Sequence, residues 1–414
     1  MEPRQSTLGA ARAVPLRTRL AAAGARNGAR LSRALGRGDG STVGGVVARR
    51  IDPAALSHLA AHARTALVTG TNGKTTTTQL LAAALGTLGP VATNRLGSNM
   101  AEGLVTAFAE RPTATLAALE VDESYLLLLA DDLQPEVVVV LNLSSECTRG
   151  TMTSTVLEQW RAGLPHLDAA CTVVANADDP LVAYALERRA GVVWVAGGGP
   201  WTQDSTQCPA CHATMARTGH DWWCTGCDLS RPSAEWSLSQ GAAVGTRGRV
   251  PLHLDLPGWW SRSNALFALA AADVLGVDLS AGAAALAGVA DVGGRYRRFD
   301  LGSHTVRLVM VKNAASWTSA CSVGGPEDTV VLAAEPFGVK DMAPLWDADL
   351  SDLRGRHVVA AGHRRADIAL RLEMEGIAHS VISAPLDAVP AQAGGTVYVV
   401  ANYTSFLDAR QALA

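Results

Sequence analysis

From about residue 51 onward, short apolar runs alternate with turns and with stretches in which apolar residues recur at the helical period. The apolar runs predict parallel strands, because strands that are covered on both faces are apolar at successive positions. Such runs occupy residues 65–69, 114–121, 137–143 and 173–175, and residues 76–88 follow the helical period. Repeated strand, turn and helix predict a doubly wound α/β domain that binds ligands at the C-terminal ends of its strands.

Two further regions differ from this domain. Residues 200–235 contain paired cysteines and little apolar periodicity, which predicts an inserted module, and residues 256–286 are mostly Ala-rich helix. Apolar runs at 306–311, 329–333, 357–361 and 397–401 predict a second, smaller α/β domain. We therefore expect an N-terminal helical segment at 1–50, a central domain at 51–295 that carries the insertion at 200–235, and a C-terminal domain at 296–414.

The first fifty residues are rich in arginine, with ten Arg against Glu2 and Asp39. A transit peptide or an arm that binds nucleic acid would have this composition. Apolar residues nevertheless recur at helical spacing, which favours an amphipathic helix that ends near residues 36–38. The residues of this apolar stripe are Leu16, Leu20, Ala23, Leu31 and Leu35.

The overall composition excludes several classes of protein. The chain has 414 residues, enough for two or three domains, and 48% of them are hydrophobic. Its 35 basic and 38 acidic residues give a net charge of -3, which argues against a nucleic-acid partner, and no apolar run is long enough to span a membrane. Only Lys74, Lys312 and Lys340 are lysines. Seven cysteines without a secretory signal indicate the reducing cytoplasm and metal ligation rather than disulfides.

The strongest motif is a glycine-rich loop between a predicted strand and a predicted helix. Glycines let the backbone surround an anion, Lys74 can reach phosphate oxygens and Thr75 can bind Mg²⁺. A Gly-Thr turn that merely caps the helix is the alternative, and Val68 stands where the general motif has its first glycine. The predicted nucleotide-binding residues of the loop are Gly70, Thr71, Asn72, Gly73, Lys74, Thr75 and Thr76.

Four cysteines form two CxxC pairs, Cys208 with Cys211 and Cys224 with Cys227, separated by twelve residues. Two such pairs can present four thiolates at the corners of a tetrahedron, which is the geometry of a structural Zn²⁺ site. An iron–sulfur site or a redox-active pair would use the same residues. We predict a zinc ribbon within the insertion.

The GTNGKTTT form of the loop resembles the Mur ligases and the folylpolyglutamate synthetases, which activate a carboxylate with ATP. Other segments are similar to Mur ligase motifs in the same order: residues 94–100, 119–123, 176–180 and 256–258. The resemblance implies ATP and Mg²⁺ as cofactors and a Mg²⁺-binding role for Glu120, whereas Asp122 or Glu123 could be surface acids. It also implies that Asn142, Asn264 and Arg295 belong to the nucleotide pocket.

A Mur ligase core with a four-cysteine ribbon and a C-terminal α/β domain resembles the MurT branch of this family. That resemblance implies a heterodimer with a GatD-like glutamine amidotransferase subunit, which would supply ammonia. The implied reaction is ATP-dependent amidation of the D-glutamate α-carboxylate of lipid II to D-isoglutamine through an acyl phosphate, in which Lys74 and Glu120 would act catalytically. At most peripheral membrane contact is expected.

The C-terminal domain of this branch also supplies an Asp that completes the partner's Cys-His pair, and residues 345–349 match that element, with Asp347 at the corresponding position. The alternative is that the acids of this element cap the start of a helix. Three segments depart from the family pattern: residues 143–149, 312–316 and 334–341. A paralogue that amidates another carboxylate and a non-catalytic nucleotide-binding scaffold therefore remain alternatives.

Overall fold

The computed structural model describes residues 15–36, 40–94, 97–144, 153–199, 202–335, 342–389 and 394–414. Its strands are β1 (Arg64–Thr69), β2 (Val91–Ala92), β3 (Leu116–Glu120), β4 (Val137–Val140), β5 (Thr172–Asn176), β6 (Val193–Ala196), β7 (Met215–Thr218), β8 (Asp221–Cys224), β9 (Trp236–Ser239), β10 (Ala242–Gly245), β11 (Gly248–Pro251), β12 (Tyr296–Leu301), β13 (His304–Met310), β14 (Thr329–Ala333), β15 (His357–Ala361), β16 (His379–Val381) and β17 (Gly395–Ala401).

The helices connect and cover these strands. They are α1 (Leu16–Ala34), α2 (Ser41–Ile51), α3 (Ala55–Ala60), α4 (Lys74–Leu85), α5 (Ala101–Glu110), α6 (Leu126–Leu133), α7 (Thr153–Gly163), α8 (Pro180–Leu186), α9 (Trp259–Val274), α10 (Leu279–Ala287), α11 (Ala314–Cys321), α12 (Ala343–Trp346), α13 (Arg365–Met374) and α14 (Tyr403–Ala412). Among the described helices, none is both long enough and apolar enough to cross a bilayer.

The larger sheet has nine strands in the described residues, in the order β11-β10-β9-β6-β5-β4-β1-β3-β2. Strands β1 to β6 are parallel to their neighbours, and the four valines of β4 are fully buried. Alternate side chains of β1 enter different cores, with Val68 beside the helices α4 and α9 and Leu67 beside α5 and α6. This is the doubly wound arrangement that the apolar runs predict.

At one edge, the larger sheet continues in a way that the sequence analysis did not anticipate. Strand β9 runs parallel to β6, whereas β10 pairs antiparallel with β9, and β11 pairs antiparallel with β10. Before β9, the insertion folds as a two-stranded hairpin of β7 and β8. Tight turns join β9, β10 and β11 directly, so residues 236–251 contain no crossover helix of the α/β pattern.

The C-terminal sheet has six strands in the described residues, in the order β12-β13-β17-β14-β15-β16. All neighbours are parallel except the antiparallel pair of β12 and β13. One apolar cluster runs continuously from α4 and α9 into this second sheet, where it includes Val309 and Leu332. The two sheets therefore share a core on the side where the cavity described below is found.

The N-terminal segment forms α1 and α2, which pack on each other and on α5. The helix α1 ends at Ala34, close to the predicted end. The face of α1 that packs inward is nevertheless not the predicted stripe: it consists of Thr18, Ala21, Ala22, Ala25, Ala29 and Ser32. Leu16, Leu20, Leu31 and Leu35 are exposed instead, because the small residues of α1 allow the close approach of α2 at Gly44.

Candidate functional site

The glycine-rich loop connects β1 with the first turn of α4. Gly73 has a φ of +87°, and a Cβ atom there would lie 2.4 Å from Asn264 Oδ1. Gly70 has a φ of +135° and lies against the backbone of Asn142. Because both positions need a residue without a side chain, the loop keeps its backbone N–H groups at the start of α4, where an anion is stabilised.

Lys74 is buried at the base of this loop. Its Nζ donates hydrogen bonds to Gly70 O at 2.6 Å and to Glu123 Oε2 at 3.0 Å. Both side chains are less than one-tenth exposed. Asp122 and Glu123 are both buried, so the alternative in which either is a surface acid is wrong, and Glu123 is instead paired with Lys74.

Thr75 and Glu120 bring two oxygen donors together beside Lys74. The Thr75 hydroxyl donates to Glu120 Oε2 at 2.7 Å, and Glu120 is fully buried at the end of β3. The amide of Asn94 holds the backbone of Glu120 on both sides, since its Nδ2 donates to Glu120 O and its Oδ1 accepts from Glu120 N. A hydroxyl and a carboxylate are the donor types that Mg²⁺ binds, so this pair fits that ion.

Asn142 follows β4 and fixes the loop from the neighbouring strand. Its Oδ1 accepts from Asn72 N at 2.8 Å, and its Nδ2 donates to Asn72 O at 2.9 Å. Its backbone O also accepts from Thr71 N. Asn142, which was predicted to belong to the nucleotide pocket, therefore holds the loop in its shape.

Two residues of the C-terminal part reach the loop, and the sequence analysis did not include them among the site residues. Lys312 Nζ donates to Thr71 O at 2.9 Å, and Asn313 Nδ2 donates to Asn72 Oδ1 at 3.1 Å. The sequence feature that could have indicated Lys312 is the rarity of lysine, since the chain contains only three. Its distance from the loop along the chain hid the connection.

A cavity of about 250 Å³ opens between the two sheets above this loop. The loop residues from Thr71 to Thr76 line it together with Glu120, Asn142 and Asn264. From the other side, the lining includes Arg295, whose Nη1 lies 3.6 Å from Met310 Sδ, and Lys312. The fold thus brings the predicted loop, Glu120, Asn142, Asn264 and Arg295 to one cavity.

The turn after β5 forms another wall of the cavity. Asp179 caps α8 and also accepts from Leu143 N at 2.9 Å, and burial raises its pKa to about 6. Asp178 accepts hydrogen bonds from Gly198 N at 2.8 Å and from Arg231 at 2.7 Å. Asp178 and Asp179 therefore connect the strand ends around the cavity.

The insertion brings its four cysteines together. All four Sγ atoms lie within 4.8 Å of one another, with 3.6 Å between Cys208 and Cys227 and 3.3 Å between Cys211 and Cys224. Despite burial, hydrogen bonds from Gly226 N and from neighbouring thiols lower the pKa of Cys224 to about 7. This donor set is suited to a soft tetrahedral metal ion.

The four-cysteine hairpin is docked on the turn that lines the cavity. Trp222 is buried on β8, and its Nε1 donates to Ala177 O at 3.0 Å. Arg231, just after the second cysteine pair, forms the ion pair with Asp178. Trp222 and Arg231 therefore attach the insertion to the cavity wall.

Asp347 lies away from this cavity, at the exposed C-terminus of α12. It ends that helix rather than capping the start of one, whereas Asp349 lies just before the short 3-10 helix Ser351–Leu353. Asp349 accepts a hydrogen bond from Ser351 N at 2.9 Å, and hydrogen bonds from Ser351 lower the pKa of Asp349. The neighbouring Trp346 is exposed by 37%. Several segments named above, residues 37–38, 95–96, 145–149 and 336–341, lie outside the described residues.

Comparisons with known proteins agree with this architecture. Residues 68–272 match the model of the Mur ligase middle domain, and residues 311–406 match that of the MurT ligase C-terminal domain. The chain is 28% identical to the MurT subunit of lipid II isoglutaminyl synthase (glutamine-hydrolyzing) from Streptococcus pneumoniae, over 91% of this chain and 93% of that protein. It is 31% identical to the UDP-N-acetylmuramate–L-alanine ligase of Mycolicibacterium vanbaalenii, over 60% of this chain and 48% of that protein.

Solved structures have the same fold. A pseudomurein peptide ligase type C from Methanothermus fervidus superposes with a TM-score of 0.63 at 17% identity, over 84% of this chain and 79% of that one. MurF from Acinetobacter baumannii also gives 0.63 at 17% identity, over 89% and 80%. The Mur ligase-like α/β fold predicted from the motifs is confirmed. The chain therefore belongs to the Mur ligase family, as a ligase whose C-terminal part places it in the MurT branch.

Proposed function

We propose that this ligase amidates the D-glutamate α-carboxylate of lipid II to D-isoglutamine, using ATP and ammonia from a GatD-like glutamine amidotransferase subunit. The observation that carries the proposal is the convergence of Lys74, Thr75 and Glu120 at one cavity that Lys312 closes from the C-terminal part. The similarity to the pneumococcal MurT subunit over nearly the whole chain supports the choice of acceptor and of ammonia source.

The chemistry requires activation of the carboxylate, because hydroxide or oxide is a poor leaving group at neutral pH. Transfer of the γ-phosphoryl group of ATP to the carboxylate forms an acyl phosphate, from which ammonia displaces phosphate. Catalysis of such transfers rests mainly on positioning and charge stabilisation. Lys74 and the N–H groups at the start of α4 would stabilise charge on the phosphates, while Asn142 and Asn313 hold the loop in shape.

The oxygens of Thr75 and Glu120 would hold Mg²⁺, which supplies charge neutralisation for the bound phosphates. Asn264 and Arg295 line the same cavity, and we assign them to the nucleotide pocket. We also retain the proposed division of the chain into residues 1–50, 51–295 and 296–414. The antiparallel hairpin of β12 and β13 then belongs to the C-terminal domain, because β13 pairs with β17 of its sheet.

We assign the four-cysteine cluster to structural Zn²⁺. Four thiols within 4.8 Å match a closed tetrahedral site. A metal bound there would stabilise the fold of a module that is too small to bury a large apolar core. Metal analysis of the purified protein should find about one Zn²⁺ per chain. Iron, or no metal in undamaged protein, would refute this assignment.

The exposed Asp347 is the residue that we assign to the partner's Cys-His pair. A carboxylate at that place would orient the histidine and stabilise its cationic form. Its exposure at the C-terminus of α12 leaves the side chain accessible to another subunit.

The test uses purified protein, ATP, Mg²⁺, lipid II and a high concentration of an ammonium salt, because free ammonia removes the need for the partner. Amidated lipid II and ADP should form in equal amounts. Glu120→Gln should lose turnover, whereas the matched control Glu187→Gln, which changes a half-exposed glutamate outside the cavity, should retain it. Turnover with another carboxylate and none with lipid II would favour the paralogue, and bound ATP without turnover would favour the scaffold.

A further inference from the structure

The outer face of α1 carries large apolar side chains without cover from the described residues. Leu16, Leu20, Leu31 and Leu35 are exposed by 70, 57, 61 and 59%, although a chain of this composition has a large core available. At about 100° per residue, Leu16, Leu20 and Leu31 fall within a sector of roughly 60°. They form a stripe about 22 Å long at 1.5 Å per residue. We call the four residues the leucine stripe.

Arginines flank the leucine stripe. Arg17 lies on one side, whereas Arg19, Arg30 and Arg33 lie on the other, and all four are exposed. The neighbouring helix α2 adds Arg49 and Arg50. Residues 15–36 and 40–51 contain no Asp or Glu. Some of this charge is balanced by α5, since Arg33 pairs with Glu110 and Arg49 with Glu102.

We propose that α1 seats this ligase on an anionic lipid surface, with the leucine stripe among the acyl chains and the arginines at the headgroups. A helix lies in a membrane interface when it combines an apolar stripe with flanking basic residues. Arginine stems can also follow the apolar surface while their guanidinium groups reach the phosphates. The absence of acidic residues from α1 and α2 favours a lipid surface over a second copy of the chain, which would bring like charges together.

The leucine stripe is also connected with the catalytic side of the molecule. Helix α2, which packs on α1, begins at Ser41, and the Ser41 and Ser98 hydroxyls lie 2.6 Å apart. Ser98 O accepts from Asn94, which holds the backbone of Glu120. An enzyme seated by α1 would therefore hold Ser98 and Asn94 close to the surface that carries a lipid-linked acceptor. This orientation toward the acceptor rests on the proposed function, whereas the exposure of the leucine stripe does not.

The experiment is sedimentation of the full-length chain with vesicles of phosphatidylcholine alone or with about one-third phosphatidylglycerol. The unmodified chain should bind the anionic vesicles, and added salt should weaken that binding because it screens the arginines. The variant Leu16→Gln/Leu20→Gln/Leu31→Gln should bind at least about tenfold more weakly, since three apolar side chains leave the lipid. The control Leu128→Gln/Leu370→Gln changes residues that are exposed by 63 and 51% elsewhere and should bind normally.

Three outcomes would overturn the proposal: no binding by the unmodified chain, an equal loss in the control, or a leucine stripe that is buried by self-association in solution. Ammonium-dependent amidation of lipid II in detergent should be unchanged in the triple variant, because α1 does not line the cavity. Failure of the reaction and failure of lipid binding are thus measured separately.

Discussion

The buried pair of Lys74 and Glu123 allows stability and catalysis to be separated. Their charged atoms are 3.0 Å apart, and their side chains are only 9 and 8% exposed. Replacing Lys74 by Met removes the charge but keeps much of the stem volume. Glu123 is then left without its counter-charge, and breaking a buried pair in this way costs about 3–5 kcal/mol. We expect the free energy of unfolding of Lys74→Met to fall by that amount.

A second substitution should restore stability but not activity. Glu123→Gln removes the orphaned charge, so Lys74→Met/Glu123→Gln should unfold with a loss of only about 1–2 kcal/mol, which corresponds to missing hydrogen bonds. Turnover with ammonium should fall by about 10²–10³-fold in both Lys74 variants, because no ammonium group stabilises the phosphates. Urea titration and ADP release measure the two quantities on the same samples.

Two results would refute this reasoning. A loss below about 1 kcal/mol in Lys74→Met would mean that the pair is not desolvated as its burial indicates. Recovery of turnover together with stability in the double variant would mean that Lys74 acts only through folding. In the latter case, the assignment of Lys74 to the phosphates would be abandoned.

Three further predictions concern other parts of the site. Asp347→Asn should abolish glutamine-dependent amidation in the complex with the amidotransferase but leave ammonium-dependent amidation intact, with Asp349→Asn as the control; equal effects in both variants would contradict the assignment. Lys312→Ala should raise the KM for ATP at least about tenfold in steady-state kinetics, because a charge-assisted hydrogen bond to the loop is lost; an unchanged KM would show that the contact is dispensable. Burial raises the pKa of Asp179 to about 6, above its ordinary 3.8. The protonated carboxyl therefore stabilises the fold fully below pH about 3.8, and this stabilisation, at most about 3 kcal/mol, is lost as the pH rises through 6. Asp179→Asn should remove that component of the pH dependence in urea titrations between pH 4 and about 7, and an unchanged slope would contradict it.

The parallel strands and the loop could be predicted from sequence because each is specified locally. Four consecutive valines in β4 and the glycine-rich turn before α4 need no knowledge of distant residues. The contacts of Lys312 with Thr71 and of Arg231 with Asp178 could not be predicted, since they join residues 241 and 53 positions apart. Only the strand order brings such residues together.

The leucine stripe shows a different limit. Helical periodicity identified α1 as amphipathic, but it could not say which of two faces is buried. The alanine face is buried because α2 approaches α1 closely at Gly44, where a Cβ atom would lie only 2.6 Å from Ala25 O. On its other side, α2 approaches α5 at Gly45, where a Cβ atom would lie 2.0 Å from Glu102 O. Close packing of small residues depends on both helices, so the hydrophobicity along one helix cannot predict it.

The attachment of the cysteine hairpin to the turn after β5 has a consequence for how the enzyme responds to oxidants. Cys211 is exposed, and oxidants react with accessible thiols before buried ones. Displacement of the hairpin would release Trp222 from Ala177 and Arg231 from Asp178, which together hold a wall of the cavity. Oxidation of this cluster would thereby loosen a wall of the cavity and lower the turnover of the ligase.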